Sequence, residues 1–293
     1  MERNTAKRTL EKLLSVCICL CMLGAMLPAQ VFAEEADTAQ TETVQDTAPK
    51  DAVYLSSADD LIQLAKNCRL DSWSQNRTVV LEADINLSSV DFNGIPSFGG
   101  TWEGQNHAIT GLSLSQDGSV QGLFRYVQQG ALVRDMTVKG RIKPGGTRAS
   151  VGGIAGSNNT RNATTASIAG GKVTGTVTAT KNYAGGATGA NYAEIADVTL
   201  IGGARVRAND QFAGGIAGSN RAGTNGQIGT ITGCTNTAGQ TGNNYTVYAT
   251  NGNAGGIAGS NESGAQIVDS VVGGVKIGVA KCDAAAIAAN NFG

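Results

Sequence analysis

Between Thr78 and Leu87 apolar side chains fall on every second position: Val79, Leu81, Ala83, Ile85 and Leu87 alternate with Val80, Glu82, Asp84 and Asn86. A period of two predicts a strand with one buried face. Ile95 to Leu114 forms a second unit, dense in turns and closing in the same alternation, and Gly122-Leu123-Phe124 follows it. Downstream, apolar residues come in short recurring sets: Val133, Met136, Val138 and Ile142; Ile168, Val173 and Val177; Ile195, Val198, Leu200 and Val206; Ile228 and Ile231; Ile267, Val271, Val275 and Ile277. Gly and Asn turns separate them, and no segment is long enough for a crossover helix, so each period holds about three short strands. One stretch has a different period. Leu61, Leu64, Ala65 and Cys68 share one helical face, and Ser57 with Asp60 matches a capping box. A short helix there would cover the open first coil of a repetitive stack. Asp59 and Asp60 read as the acids a helix N-terminus favours, in preference to catalytic carboxylates.

What makes the stack repetitive is Gly152-Gly153-Ile154-Ala155-Gly156-Ser157-Asn158. It returns with small changes at Gly185-Gly186 to Asn191, Gly214-Gly215 to Asn220 and Gly255-Gly256 to Asn261, and as a worn copy, Ala285-Ala286 to Asn291. From the second glycine of each copy the steps are 33, 29, 41 and 30 residues, a solenoid period with variable loops. The longest step is assigned to a loop through Gln240 to Asn251 that carries Tyr245 and Tyr248. The glycine pairs suit a coil position with positive φ, or one too near its neighbour for a side chain. Ile154, Ile216, Ile257 and Ile287, with Ala187 as the small member, are expected to stack in an interior column. Asn158, Asn191, Asn220, Asn261 and Asn291 are expected to form an amide ladder along the axis. The fold class expected for residues 52–293 is therefore all-β, a right-handed parallel β-helix solenoid with a short N-terminal capping α-helix.

Upstream, Arg3, Lys7, Arg8 and Lys12 precede an apolar run from Leu13 to Leu27, and Val31-Phe32-Ala33 supplies a cleavage site. Residues 1–33 read as a signal peptide; the run is short of the roughly 20 residues of a membrane-spanning helix. Cys17, Cys19 and Cys21 follow large apolar residues, which argues against a lipoprotein anchor. Residues 34–51 are acidic, Thr-rich and nearly free of large apolar side chains, the composition of a disordered linker. Cys68, Cys234 and Cys282 remain, an odd and scattered set unlike a disulfide framework. With 22 Lys and Arg against 23 Asp and Glu, and no basic tract interleaved with aromatics, nucleic acid is not an expected partner. Glycine, 41 of 293 residues, lacks a three-residue period, so tight turns rather than collagen account for it.

The Gly-Gly-Ile-Ala-Gly-Ser-Asn copies resemble the GLUG-type repeats of bacterial, Gram-positive-type cell-surface proteins. Thr101 to Leu112, Thr-Trp-Glu-Gly-Gln-Asn-His-Ala-Ile-Thr-Gly-Leu, is similar to a unit that often precedes such repeats. The resemblance covers about Tyr54 to Gly293 and rests on recurrence. Ala155, Ala217 and Ala258 stand where the family pattern is apolar, Asn106 replaces a usual glycine, and the last copy has lost its glycines. The resemblance implies a right-handed β-helix within a large exported, usually wall-associated protein, an adhesin among the candidates, some relatives carrying a zinc peptidase domain elsewhere.

No zinc peptidase motif lies here, since His107 is the one histidine and His-Glu-x-x-His is absent. Gly170-Gly171-Lys172-Val173 lacks the Ser or Thr of a phosphate loop, and the repeats carry Asn where calcium-binding nonapeptides need Asp. The enzymatic rival is a polysaccharide lyase or hydrolase, which needs clustered acids. Asp135, Asp197 and Asp269 stand two residues after Val133, Ile195 and Ile267, with Gly170 and Thr230 interrupting the row, so a solvated face is the simpler reading. Trp73, Trp102, Tyr126, Tyr183, Tyr192, Phe212, Tyr245 and Tyr248 are candidate sugar platforms, too few for a continuous groove. The chain stops inside a repeat copy, which predicts either a fragment of a longer protein or a self-capping last coil. The expectation is a secreted, wall- or surface-associated module acting as stalk or adhesin, without catalysis, cofactor or metal. Its expected partners are host or environmental glycans or surface proteins, and no membrane span is expected after signal cleavage. A polysaccharide-binding or polysaccharide-cleaving β-helix is the alternative.

Overall fold

The computed structural model describes residues 52–146, 150–159, 166–223, 226–240 and 244–292. The expected signal peptide and linker lie outside the described residues. The rest is all-β, built of four sheets in which every named strand pairing is parallel, and it does not close into a barrel. One circuit of chain shows the plan. Glu194–Ala196 lies in the first sheet, Thr199–Leu200 and Arg205–Ala208 in the second, Phe212–Gly214 in the third and Ala217–Asn220 in the fourth. Thr230–Thr232 then returns to the first sheet, beside Glu194–Ala196. This order is compatible with a β-helix-like solenoid. A circuit thus holds four or five strands where the sequence suggested three, because pieces as short as Thr199–Leu200 pair with both neighbours.

Side chains of like position stack along the sheets. In the first sheet Val79, Trp102, Val133, Ile168, Ile195 and Ile231 follow one another in register, all buried. Each such Val or Ile contributes about 1.5–3 kcal/mol by leaving water. Phe98, Trp102 and Phe124 pack together in the early circuits, with ring centroids 5.2–6.1 Å apart, so Trp102 is core and not a sugar platform. The strand expected from Thr78 to Leu87 divides into Thr78–Leu81 in the first sheet and Ile85–Asn86 in the second, turning a corner between them. Likewise part of the loop expected between Gln240 and Asn251 is the strand Val247–Ala249, paired with Arg205–Ala208.

The helix runs Ala58–Asn67 and buries Leu61 and Leu64 in the common core, with Cys68 just beyond its end. Its capping box is complete: the Asp60 amide donates to Ser57 Oγ at 3.2 Å, and the Ser57 amide donates to Asp60 Oδ2 at 3.0 Å. The Ser57 hydroxyl, which donates to Asp60 Oδ2 at 2.8 Å, leads the bonds that hold the Asp60 carboxyl below its usual range. Both acids of this turn are accounted for by the helix.

Candidate functional site

The repeat motif occupies the corner between the third and fourth sheets, and its asparagines end five of the seven strands of the fourth. Asn158 Nδ2 donates to Asn191 Oδ1 at 2.9 Å, Asn191 to Asn220 at 2.8 Å, Asn220 to Asn261 at 2.8 Å and Asn261 to Asn291 at 2.9 Å. Each of these four amide groups also donates to a backbone carbonyl, for example Asn220 to Gly229 O and Gln266 O, both at 3.0 Å. The row is buried from Asn158 to Asn261, Asn158, Asn191 and Asn220 completely, and Asn291 ends it exposed. In the preceding circuit Val127 takes the equivalent place, so Asn158 Oδ1 starts the ladder with no donor.

The glycine pairs are explained by close approach alone, since none of Gly152, Gly153, Gly185, Gly186, Gly214, Gly215, Gly255 and Gly256 has positive φ. A Cβ on the first glycine of each pair would collide with a carbonyl across the turn: Ala155 O for Gly152, Thr188 O for Gly185, Ala217 O for Gly214 and Ala258 O for Gly255. On the second it would strike the next circuit, at Gly186 O, Gly215 O, Gly256 O and Ala286 O in turn. Beside them Ile154, Ala187, Ile216 and Ile257 stack fully buried, while Ile287 in the last described circuit is 40% exposed.

Positive φ belongs to another corner, between the first and second sheets. Asp135, Gly170, Asp197, Gly233 and Asp269 succeed one another there with φ of 48–63°. The residue aligned with the aspartates is Gly233 and not Thr230, because Ile231, three residues beyond Ile228, pairs with Ile195 and is buried in the core. The alternation has a steric cause. Asp135 Oδ1 lies where a Cβ on Gly170 would be, and Asp197 Oδ1 does the same over Gly233. Like members are two circuits apart, about 9.6 Å, on one straight ridge. They do not flank a bond from two sides, as the carboxylate pair of a glycosidase must.

Two constellations escaped the sequence. His107 Nδ1 lies 3.1 Å from Asp84 Oδ1, which also accepts the Ala108 amide at 2.8 Å. The Ala108 bond, followed by the His107 contact, holds the Asp84 carboxyl below its usual range. The pair joins adjacent circuits at a turn, and among the described residues no nucleophile completes it. Arg221 donates to Tyr183 Oη at 2.6 Å and Tyr192 Oη at 2.9 Å, pairs with Glu262 at 3.0 Å and lies 4.6 Å from the Tyr183 ring centre, while Tyr183 stacks on Phe212. Burial alone would lower the Arg221 pKa, but the Tyr192 bond leads the contacts that raise it overall. Three of the candidate platforms, Tyr183, Tyr192 and Phe212, are thus tied into a strut across circuits. Sequence spacing offers no sign of either, since the partners are 23 to 41 residues apart.

Burial pushes the Cys68 and Cys234 thiols up to about 11, which leaves them unreactive. Among the described residues no group of three or more His, Cys, Asp or Glu is placed to hold a metal ion, and no helix is long and apolar enough to cross a membrane.

No protein-family model matches the chain, and no curated protein is significantly similar to it. Among solved structures it is similar to a Bacteroides ovatus protein provisionally named an immunoglobulin A1 protease, with a TM-score of 0.55 and 20% identity over 75% of this chain. The match spans 66% of that protein's length. At that identity the likeness concerns the fold alone.

Proposed function

We propose that this chain is an exported, right-handed parallel β-helix of the GLUG-repeat kind, serving at a bacterial cell surface as a rigid stalk or adhesive module without catalysis of its own. The observation that carries the reading is the asparagine ladder. Five amides bonded in series, the first four also tied to backbone, lock successive circuits at one spacing. A stack so fixed is a stiff rod that presents flat outer faces, the form suited to projecting or holding a partner. The right hand follows from the preference of parallel connections.

The test is to incubate the full chain with immunoglobulin A1 and with a panel of host and plant polysaccharides, with and without calcium, and to assay new chain ends. Intact substrates, with retention of the protein on one of them, support the module. New polysaccharide ends that vanish in D135N, D197N and D269N, or cut immunoglobulin, would refute it.

A further inference from the structure

The ten-stranded second sheet contains no Asp or Glu in any of its strands. Its outer face carries Lys139, Arg141, Lys172, Arg205 and Arg207, separated by Thr174, Thr176 and Thr178. Among the described residues no carboxylate pairs with any of these five cations; the ion pairs join His107, Arg134, Lys181 and Arg221 to acids elsewhere. The first sheet is different: Arg134 there faces Glu103 in the adjacent circuit and binds it through two nitrogens, at 2.6 and 2.7 Å. Acids and bases nearly balance over the chain, so an acid-free basic face reflects segregation and not composition.

The placement of the cations is regular. Lys139 lies beside Thr174, Arg141 and Arg205 on either side of Thr176, and Arg207 between Thr178 and Tyr248. No two bases are direct cross-strand neighbours, which limits repulsion in the free protein. Arg141 and Arg205 are two circuits apart, about 9.6 Å, and Arg205 and Arg207 two residues apart on one strand, about 6.6 Å. At one end the Arg207 guanidinium lies 5.5 Å from the Tyr248 ring centre and the Lys276 ammonium 4.8 Å from that of Tyr245, with the two rings 5.1 Å apart.

We infer that this face is a docking surface for an anionic polysaccharide, a linear polymer with carboxylate or sulfate groups recurring every one or two sugars. Unpaired positive charge on a flat face is complementary to such a polymer, and threonine hydroxyls between the cations match its hydroxyls. A single-stranded nucleic acid fits less well. It requires free aromatic faces for its bases, whereas the rings of Tyr245 and Tyr248 pack on each other and on their cations. The inference rests on the module reading above and names its partner.

The experiment compares the full chain on immobilised heparin, polygalacturonate, neutral dextran and single-stranded DNA at graded salt. Retention on heparin or polygalacturonate but not dextran is expected. It should fall about tenfold in affinity in R141Q/R205Q/R207Q and under about twofold in R134Q, with circular dichroism confirming the fold. The single variant R205Q, a partial step in the same direction, decides the matter if the triple variant does not fold. Equal retention of wild type and face variants would overturn the inference, as would no retention on either polyanion or tighter binding of DNA. Each of these leaves the non-catalytic reading standing, whereas cleaved polysaccharide would sink that reading without touching the face.

Discussion

Asn220 is the central rung of the ladder, and Asn220→Ala tests what the ladder contributes. The substitution removes donation to Asn261 Oδ1 at 2.8 Å, to Gly229 O and Gln266 O at 3.0 Å, and acceptance from Asn191 Nδ2 at 2.8 Å. Asn191 Nδ2 keeps Ala193 O at 2.8 Å, so the donor side is partly repaired. Asn261 Oδ1 is not, and Asn261 is only 4% exposed. An orphaned buried group costs about 1–3 kcal/mol, and with the weakened carbonyls and a small void the total is about 4 kcal/mol. Asn291→Ala, at the exposed end of the row, should cost under about 1 kcal/mol. Solenoids need not unfold in one step, so equilibrium denaturation should be paired with hydrogen exchange at the amides of Arg221 and Glu262, which bond to Asn191 O and Asn220 O. Asn220→Asp adds a sign. A carboxylate facing three acceptors favours its proton in the folded state, so its folded pKa is raised. That variant should be most stable below the unfolded value of about 3.9 and lose stability as pH climbs from there to the folded pKa. A loss under about 1 kcal/mol in Asn220→Ala, with unchanged exchange at both amides, would refute the claim that the ladder locks the circuits.

Gly215→Ala drives a Cβ into the Gly256 carbonyl and should cost about 3 kcal/mol or more, whereas Gly202→Ala, with open space and no positive φ, should stabilise by about 0.5 kcal/mol; thermal melts of the two separate close approach from chain entropy. Native protein treated with a thiol reagent at pH 8 should label at exposed Cys282 and be spared at Cys68 and Cys234 until denatured, as mass spectrometry would show. Ser57→Ala should cost about 1 kcal/mol by breaking the helix cap. Because the Asp60 pKa is lowered in the folded chain, the wild-type advantage should hold above the ordinary value of 3.8 and fade as pH falls below it, measurable as a convergence of the two melting temperatures in acid.

The capped helix, the amide row and the interior column from Ile154 to Ile257 were legible in the sequence, and the strands in part, because each follows from local rules repeated along the chain. A period of two marks a buried face, Ser and Asp three apart mark a cap, and five Asn at one place in a repeat must stack if the repeats do. Which corner needs positive φ was not legible, since Gly-Gly and the Asp/Gly row look alike until neighbouring circuits are superposed. Only then does Asp135 lie over Gly170 and Asp197 over Gly233. The alignment of Ile231 in place of Ile228, the His107–Asp84 contact and the Arg221 strut likewise depend on loop lengths that no local rule sets. The same holds for the basic face: Lys139, Arg141, Lys172, Arg205 and Arg207 are scattered over 69 residues, and only parallel stacking at about 4.8 Å per circuit puts them on one surface. Sequence alone decided what repeats; the tertiary stack decided which residues meet, because contacts between circuits join positions about thirty residues apart.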